Sequence, residues 1–245
     1  MSDSVRTQLK ASANGQSMRK RQSPKRRKSK KQEQAQKQAP QVENVSYETS
    51  NIEEHANVLF KPNPGPQTEF LAASEREVLY GGSAGGGKSY AMLADPLRYM
   101  GHPQFSGLLL RHTTEELREL IFKSQELYPK IWPGIKWSER KMQWTAPSGA
   151  RLWMSYLDRD EDVLRYQGLA FSWIGFDELT QWSTPYAWNY MRSRLRSTAP
   201  DLPIFMRATT NPGGRGHGWV KKMFIDPAPY NRAFDATDIE TGEVL

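Results

Sequence analysis

The chain has 245 residues, a length that suits one large domain or two small ones. Its 34 basic and 27 acidic residues are unevenly spread, because residues 1–38 hold 12 of the basic and only 2 of the acidic ones. The absence of cysteine excludes disulfide frameworks and cysteine-ligated metal sites. No apolar run is long enough to cross a membrane, and the N-terminus lacks the apolar core of a signal peptide. We therefore expect a soluble, intracellular protein with no membrane contact.

Residues 1–57 are rich in Lys, Arg, Gln and Ser and contain few aliphatic side chains. Such a segment cannot bury enough apolar surface to offset the entropy of ordering, which predicts a disordered basic tail. Basic clusters lie within it at Arg19–Arg21 and Lys25–Lys31. These clusters are typical either of contacts to nucleic-acid phosphates or of a solvated tail that only aids solubility, and the sequence leaves both readings open.

After the tail, short apolar runs alternate with helical patterns. The runs that suit buried parallel strands are 77–80, 107–111, 172–176 and 204–208. Helices are predicted over 89–100 and 114–128, and the second opens with a capping-box pattern at Thr113–Glu116. Residues 141–156 predict a β-hairpin that turns at Ala146–Gly149. Together these elements predict an α/β fold with a mainly parallel β-sheet flanked by helices.

A glycine-rich loop follows the first predicted strand. It matches the pattern G-x-x-x-x-G-K-[ST] and lies between a strand and a helix, as phosphate-binding loops do. In such a loop the backbone N–H groups point at the phosphates, Lys88 adds a mobile positive charge, and the Ser89 hydroxyl ligates Mg²⁺. The predicted nucleotide-binding residues of the loop are Gly82, Ser83, Ala84, Gly85, Gly86, Gly87, Lys88 and Ser89. The sequence thus predicts a P-loop NTPase.

Two adjacent carboxylates end another apolar strand. Asp177 and Glu178 follow the run Phe171–Phe176, and Asp177 lies 89 residues after Lys88. In this arrangement Asp177 would hold Mg²⁺ and Glu178 would act as general base on the attacking water, which suits ATP hydrolysis. An acidic pair can also cap a helix, but the phosphate loop favours catalysis. The predicted class is the P-loop ATPases with an additional strand and a catalytic glutamate.

Two further polar segments have open interpretations. Thr209, Thr210 and Asn211 follow the last apolar run, where they would sense the γ-phosphate or simply form a strand-to-turn transition. Upstream of the phosphate loop, Gln67 would read adenine with its side-chain amide or be an ordinary loop residue.

Several motifs in order resemble the ATPase part of the large terminase subunit of tailed bacteriophages, over residues 58–235. The motifs are Pro64–Gln67, Tyr80–Ser89, Tyr166–Gly168, Ile174–Thr180, Thr210–Gly214 and His217–Trp219. The resemblance implies a motor that hydrolyses ATP to drive double-stranded DNA into a procapsid. It also implies a homo-oligomeric ring, usually of five subunits, docked on the portal protein, with the small terminase subunit as a partner and the host cell cytoplasm as its location.

The resemblance also assigns roles to residues. It gives Gln67 the adenine contact, Lys88 and Ser89 the phosphates and the metal, and Asp177 the metal. Glu178 becomes the catalytic base, and Thr209–Asn211 become a coupling motif that links hydrolysis to DNA movement. Arg165 matches the region of a candidate arginine finger that reaches a neighbouring subunit. Four other arginines compete for that role, namely Arg111, Arg192, Arg194 and Arg215.

One departure from the family concerns its nuclease domain. Family members continue into an RNase H-type nuclease, whereas residues 236–245 would be only the start of the linker to it. We therefore expect no DNA cleavage by this chain. Two other functions stay open, a helicase or recombinase-like ATPase and a non-catalytic DNA-binding assembly protein. The adjacent Glu178 and Asp177 argue against the second, since a degenerate site would be expected to lose one carboxylate.

Overall fold

The computed structural model describes residues 58–237, Gly242 and Val244. The predicted tail, and all but residues 236, 237, 242 and 244 of the predicted linker, lie outside the described residues. The strands are β1 (Glu77–Gly81), β2 (Ser106–Arg111), β3 (Lys136–Ser138), β4 (Gln143–Thr145), β5 (Arg151–Tyr156), β6 (Trp173–Phe176) and β7 (Phe205–Thr210). The α-helices are α1 (Pro66–Ala72), α2 (Lys88–Ala94), α3 (Thr114–Ile131), α4 (Tyr186–Arg192) and α5 (His217–Phe224). None of the described helices has the length and apolar character needed to span a bilayer.

All seven strands form one sheet in the order β1-β7-β6-β2-β5-β4-β3. The first five strands in this order are parallel to their neighbours, namely β1, β7, β6, β2 and β5. Strand β4 runs antiparallel to both β5 and β3. This confirms the predicted α/β fold with a mainly parallel sheet, and the predicted hairpin forms as β4 and β5. Strand β7 lies between β1 and β6.

Helices cover both faces of the sheet. On one face, buried side chains of α1, α2 and α3 pack with β5 residues and with Trp173 of β6. On the other face, Trp188 of α4 and Trp219 of α5 pack against side chains of β6 and β7 such as Phe176 and Met206. The apolar runs read as strands are therefore buried on both sides, as expected for parallel strands.

The first helix after the phosphate loop is shorter than predicted. The sequence suggested one helix over 89–100, but α2 ends at Ala94 and a 3₁₀ helix covers Asp95–Tyr99. Pro96 explains the change, because proline has no N–H to continue the α-helical hydrogen bonds. The predicted capping box of α3 is confirmed by reciprocal 3.3 Å hydrogen bonds between Thr113 and Glu116.

Candidate nucleotide-binding site

The site lies at the edge of the sheet where the parallel strands β1, β2, β6 and β7 end. The carboxyl ends of parallel strands meet at one edge, which is where ligands bind in open α/β sheets. Here the loop after β1, Arg111 at the end of β2, the acidic pair after β6 and Thr209–Asn211 at the end of β7 come together. The fold therefore assembles groups that are far apart in the sequence.

The carbonyl groups of the glycine-rich loop bond to the protein's own side chains. The Lys88 ammonium donates to the carbonyl oxygens of Gly82 (3.1 Å) and Ser83 (2.7 Å). The Tyr80 hydroxyl donates to Gly86 O (2.6 Å), and Gln67 Nε2 donates to Gly87 O (2.8 Å). Within residues 58–237, no backbone N–H of the loop from Gly82 to Gly87 makes a hydrogen bond. These N–H groups are the kind of donors that bind anions.

Gly87 shows why glycine is needed where the loop enters α2. Its φ of 73° is left-handed, and a Cβ added there would lie 2.6 Å from Gln67 Nε2. Gln67 is itself buried, and its Oε1 accepts a 2.6 Å hydrogen bond from Asn63 N. The side-chain amide of Gln67, for which the sequence suggests a contact to adenine, thus fixes the end of the loop against α1.

Asp177 is fully buried and contacts three groups of the site. Its Oδ2 accepts a hydrogen bond from Ser89 Oγ (3.4 Å) and lies 2.9 Å from Arg111 Nε. Its Oδ1 accepts a short hydrogen bond from Thr209 Oγ1. The carboxylate and the Ser89 hydroxyl are hard oxygen ligands of the type that Mg²⁺ prefers. The positively charged guanidinium of Arg111 already lies beside the carboxylate. The residues present therefore fit this metal.

Glu178 is held in place by the end of β7. Its φ of 62° is left-handed, and its N–H donates to Thr209 Oγ1 (3.1 Å). Its carboxylate accepts two hydrogen bonds from Asn211, from Nδ2 to Oε1 (2.8 Å) and from N to Oε2 (3.2 Å). Burial, and next the charge of Asp177, raise the pKa of Glu178, while Arg111, Asn211 and Lys88 lower it to a smaller degree. A raised pKa suits a group that takes up a proton.

Thr210 differs from its neighbours in what it contacts. Its hydroxyl bonds to Thr180 Oγ1 (2.8 Å), and both residues are buried. Of the three residues predicted to sense the phosphate, Thr209 and Asn211 thus contact the acidic pair, whereas Thr210 joins β7 to the segment after Glu178.

Arg165 does not contact the groups of the site. It lies on the 3₁₀ helix Asp160–Tyr166 after β5, and its guanidinium donates to Tyr156 O (2.7 Å) and Asp162 O (3.2 Å). Its side chain is 45% exposed. Among the competing arginines, Arg192 forms an ion pair with Glu77, and Arg111 contacts Asp177 of its own chain. Arg194 lies over the Tyr190 ring, and Arg215 is exposed and has no partner among the described residues.

Sequence reasoning missed two contributors to the site. The sequence suggests Arg111 only as a donor to a neighbouring subunit. It places Tyr80 in a strand and at the start of the motif Tyr80–Ser89, without a role for its hydroxyl. The signal for Arg111 was its place at the end of a predicted parallel strand, at the same edge as the phosphate loop. No pattern in the sequence pointed to the Tyr80 hydroxyl.

Comparison with known proteins identifies the family and the fold. The family model for the phage terminase large subunit matches residues 74–243. The large terminase of a thermophilic bacteriophage is 18% identical with a TM-score of 0.53, over 68% of this chain and 43% of that one. The complex of the same terminase with ADP is 19% identical with a TM-score of 0.51, over 66% of this chain and 41% of that one. The HK97 bacteriophage large terminase is 11% identical with a TM-score of 0.53, over 72% of this chain and 41% of that one.

At these identities the solved structures share the fold with this chain, which spans less than half the length of each. No curated protein sequence matches significantly. The family model, by contrast, covers most of the chain. The chain therefore belongs to the phage terminase large subunit family.

Proposed function

We propose that this chain is the ATPase part of a terminase large subunit, a motor that hydrolyses ATP to drive double-stranded phage DNA into a procapsid. The observation that carries the proposal is the contact between Ser89 of the glycine-rich loop and Asp177, with Glu178 next to it. Binding groups and a candidate base thus lie in one place. Membership of the terminase family and the ADP complex of the thermophilic phage terminase support the choice of nucleotide.

The loop residues Gly82–Ser89 bind the phosphates in this proposal. The backbone N–H groups from Gly82 to Gly87 are unbonded within the described chain, while several carbonyls of the loop already have partners. The loop therefore has donors ready to receive an anion. Lys88 turns from the carbonyls of Gly82 and Ser83 to the phosphates. Gln67 retains one N–H and one lone pair beyond its present bonds, which can pair with the adenine edge.

Ser89 and Asp177 would hold Mg²⁺, which when bound neutralises charge on the phosphates. Glu178 accepts a proton from the attacking water, whose oxygen bonds to the γ-phosphorus as the bond to ADP breaks. Thr209 contacts both acidic residues, since it donates to Asp177 and accepts from the Glu178 N–H. Asn211, directly after β7, bonds to the Glu178 carboxylate. A change at either carboxylate therefore reaches the end of β7, which supports a coupling role for Thr209, Thr210 and Asn211.

The wider assembly is also part of the proposal. We infer that residues 58–235 form the ATPase domain, that residues 236–245 begin a linker, and that residues 1–57 form a basic tail able to contact DNA. The partners would be double-stranded DNA, the portal protein and procapsid, the small terminase subunit and further copies of the chain in a ring. This assembly would act in the host cytoplasm. Family membership supports the partners and the assembly. The excess of basic residues in 1–38 supports the DNA-contacting tail.

Two substitutions test the proposed chemistry. Lys88→Ala should abolish measurable ATP binding in calorimetry, because Lys88 supplies the mobile cation of the loop. Glu178→Gln should still bind ATP with Mg²⁺ but lower turnover by about 10²-fold or more, as expected for loss of a general base. Normal ATP affinity in Lys88→Ala would show that the loop does not bind the phosphates. Near-normal turnover in Glu178→Gln would show that another residue acts as the base.

A further inference from the structure

Arg111 is a buried cation whose hydrogen-bond donors are unused. Its side chain is only 9% exposed, and Nε lies 2.9 Å from Asp177 Oδ2. The N–H does not point at that oxygen, so Nε has no hydrogen-bond partner, and no other nitrogen of Arg111 bonds to a side chain or carbonyl of residues 58–237. The guanidinium carries five donors, of which the one on Nε is buried, and buried donors normally have partners.

The other buried arginine pairs of the fold are better satisfied. Arg192 donates to both carboxylate oxygens of Glu77, at 2.6 and 2.9 Å. Arg207 is fully buried, and its terminal nitrogens donate to Glu75 O (2.7 Å) and Ala73 O (2.8 Å), although its Nε, like that of Arg111, has no hydrogen-bond partner. These two arginines hold elements together through aligned hydrogen bonds. Arg111 makes no such hydrogen bond within residues 58–237, so its donors are available to an anion.

The position of Arg111 indicates what that ligand is. The same Asp177 oxygen that attracts Arg111 also accepts from Ser89 of the glycine-rich loop. The nearby charges are those of Lys88, Arg111, Asp177 and Glu178, so they cancel before any nucleotide binds. A nucleotide adds several negative charges, and Lys88 is the only other cation of this group.

We propose that Arg111 is a second phosphate-binding residue of the site, supplied by the same subunit and held by Asp177 until nucleotide binds. The inference rests on the proposed function, because its ligand is the nucleotide of that site. A planar guanidinium can donate two parallel hydrogen bonds to phosphate oxygens, which a point charge such as Lys88 cannot. A nucleotide carries several negative charges, so its phosphates can compete with the single charge of Asp177 for Arg111 whether or not a metal is bound.

The test measures the affinity of ATPγS in EDTA, so that no metal takes part, by calorimetry. Arg111→Gln should weaken binding by about tenfold or more, the loss expected for a charge-assisted hydrogen bond. Arg111→Lys, which keeps the charge, should lose less. Arg192→Gln is the matched control, because it breaks another arginine–carboxylate pair outside the site and should leave the affinity unchanged. Each variant is first shown to unfold cooperatively.

A double variant separates phosphate contact from simple neutralisation of Asp177. If Arg111 binds phosphate, Arg111→Gln should weaken binding as strongly in an Asp177→Asn background as in the wild type. If Arg111 only balances Asp177, its loss should have no effect there, and the proposal is overturned. An unchanged affinity in the single Arg111→Gln variant also overturns it. Failure of the wild type to bind ATPγS with or without Mg²⁺ would instead contradict the proposed function.

Discussion

Asn211 donates two hydrogen bonds to the carboxylate of Glu178. One comes from the backbone and one from the side chain, so the carboxylate is oriented by the end of β7. Hydrogen bonds to the charged form of a carboxyl group lower its pKa, and here the bond from the Asn211 backbone N–H opposes the effect of burial. Asn211 is therefore a positioning residue for the proposed base.

Removing the Asn211 amide should change the pH dependence of turnover. Glu178 must be deprotonated to act as base, so kcat falls as pH drops through its raised pKa. In Asn211→Ala that pKa should rise further, because one hydrogen bond to the charged form is lost. The acidic limb of the kcat profile should then move to higher pH, and the plateau should fall by about tenfold from poorer orientation.

The control for this experiment is Asn189→Ala, which removes an asparagine that accepts from Arg192 on α4, away from the site. Its pH profile should match that of the wild type. An acidic limb at the same pH in Asn211→Ala and the wild type would contradict the positioning role.

At the scale of elements, the position of the phosphate loop depends on how closely α2 approaches the sheet. Gly175 in β6 makes this approach possible, because a Cβ there would meet the Trp173 ring and lie 2.8 Å from Met92 Sδ of α2. Met92 and Trp173 are fully buried and have no free space around them to move into. The glycine therefore sets the distance between the helix and the strand that carries the acidic pair.

Gly175→Ala should destabilise the protein by about 1–3 kcal/mol, the usual result of overpacking a core. Thermal unfolding followed by circular dichroism would measure the loss, expected as a decrease of several degrees in Tm. Gly218→Ala in α5 is the matched control, since nothing lies within 4 Å of its added Cβ and alanine favours helix. Its Tm should be unchanged or higher. Equal Tm values for Gly175→Ala and the wild type would show that α2 can shift freely.

The strands were predictable from the sequence because their apolar runs are short and bounded by turn residues. The loop Gly82–Ser89 and the acidic pair were predictable because each follows such a run. The strand order was not, since insertion of β7 between β1 and β6 depends on crossover connections that no local pattern encodes. The partners of Arg111 and Asn211 follow from that order and so were equally hidden.

At the scale of the whole molecule, Arg165 is anchored on its own chain yet half exposed. Its bonds to Tyr156 O and Asp162 O fix the base of the guanidinium, while 45% of the side chain faces outward. A rigid, exposed arginine at the edge of the sheet that carries the site is suited to reach a neighbouring subunit. The prediction that it completes the neighbour's site therefore stands as a testable one.

Mixed rings test donation by Arg165. Arg165→Ala and Glu178→Gln subunits should each be inactive alone, but a mixture should recover part of the ATPase activity, because some interfaces join an intact Glu178 to an intact Arg165. The control mixture combines Lys88→Ala with Glu178→Gln, in which every subunit has a damaged site of its own. If mixed rings form and both mixtures stay at baseline, Arg165 does not act across the interface.

The left-handed backbone of Glu178 has a consequence for how the protein changes under selection. A non-glycine residue with a φ of 62° costs about 1–2 kcal/mol of conformational energy. Glycine and asparagine adopt this conformation more readily, but neither can take a proton from water. On the proposed role of Glu178 as base, selection for heat resistance alone would drive position 178 away from glutamate and towards inactive variants. A stability screen of this protein should therefore include an activity measurement at every round.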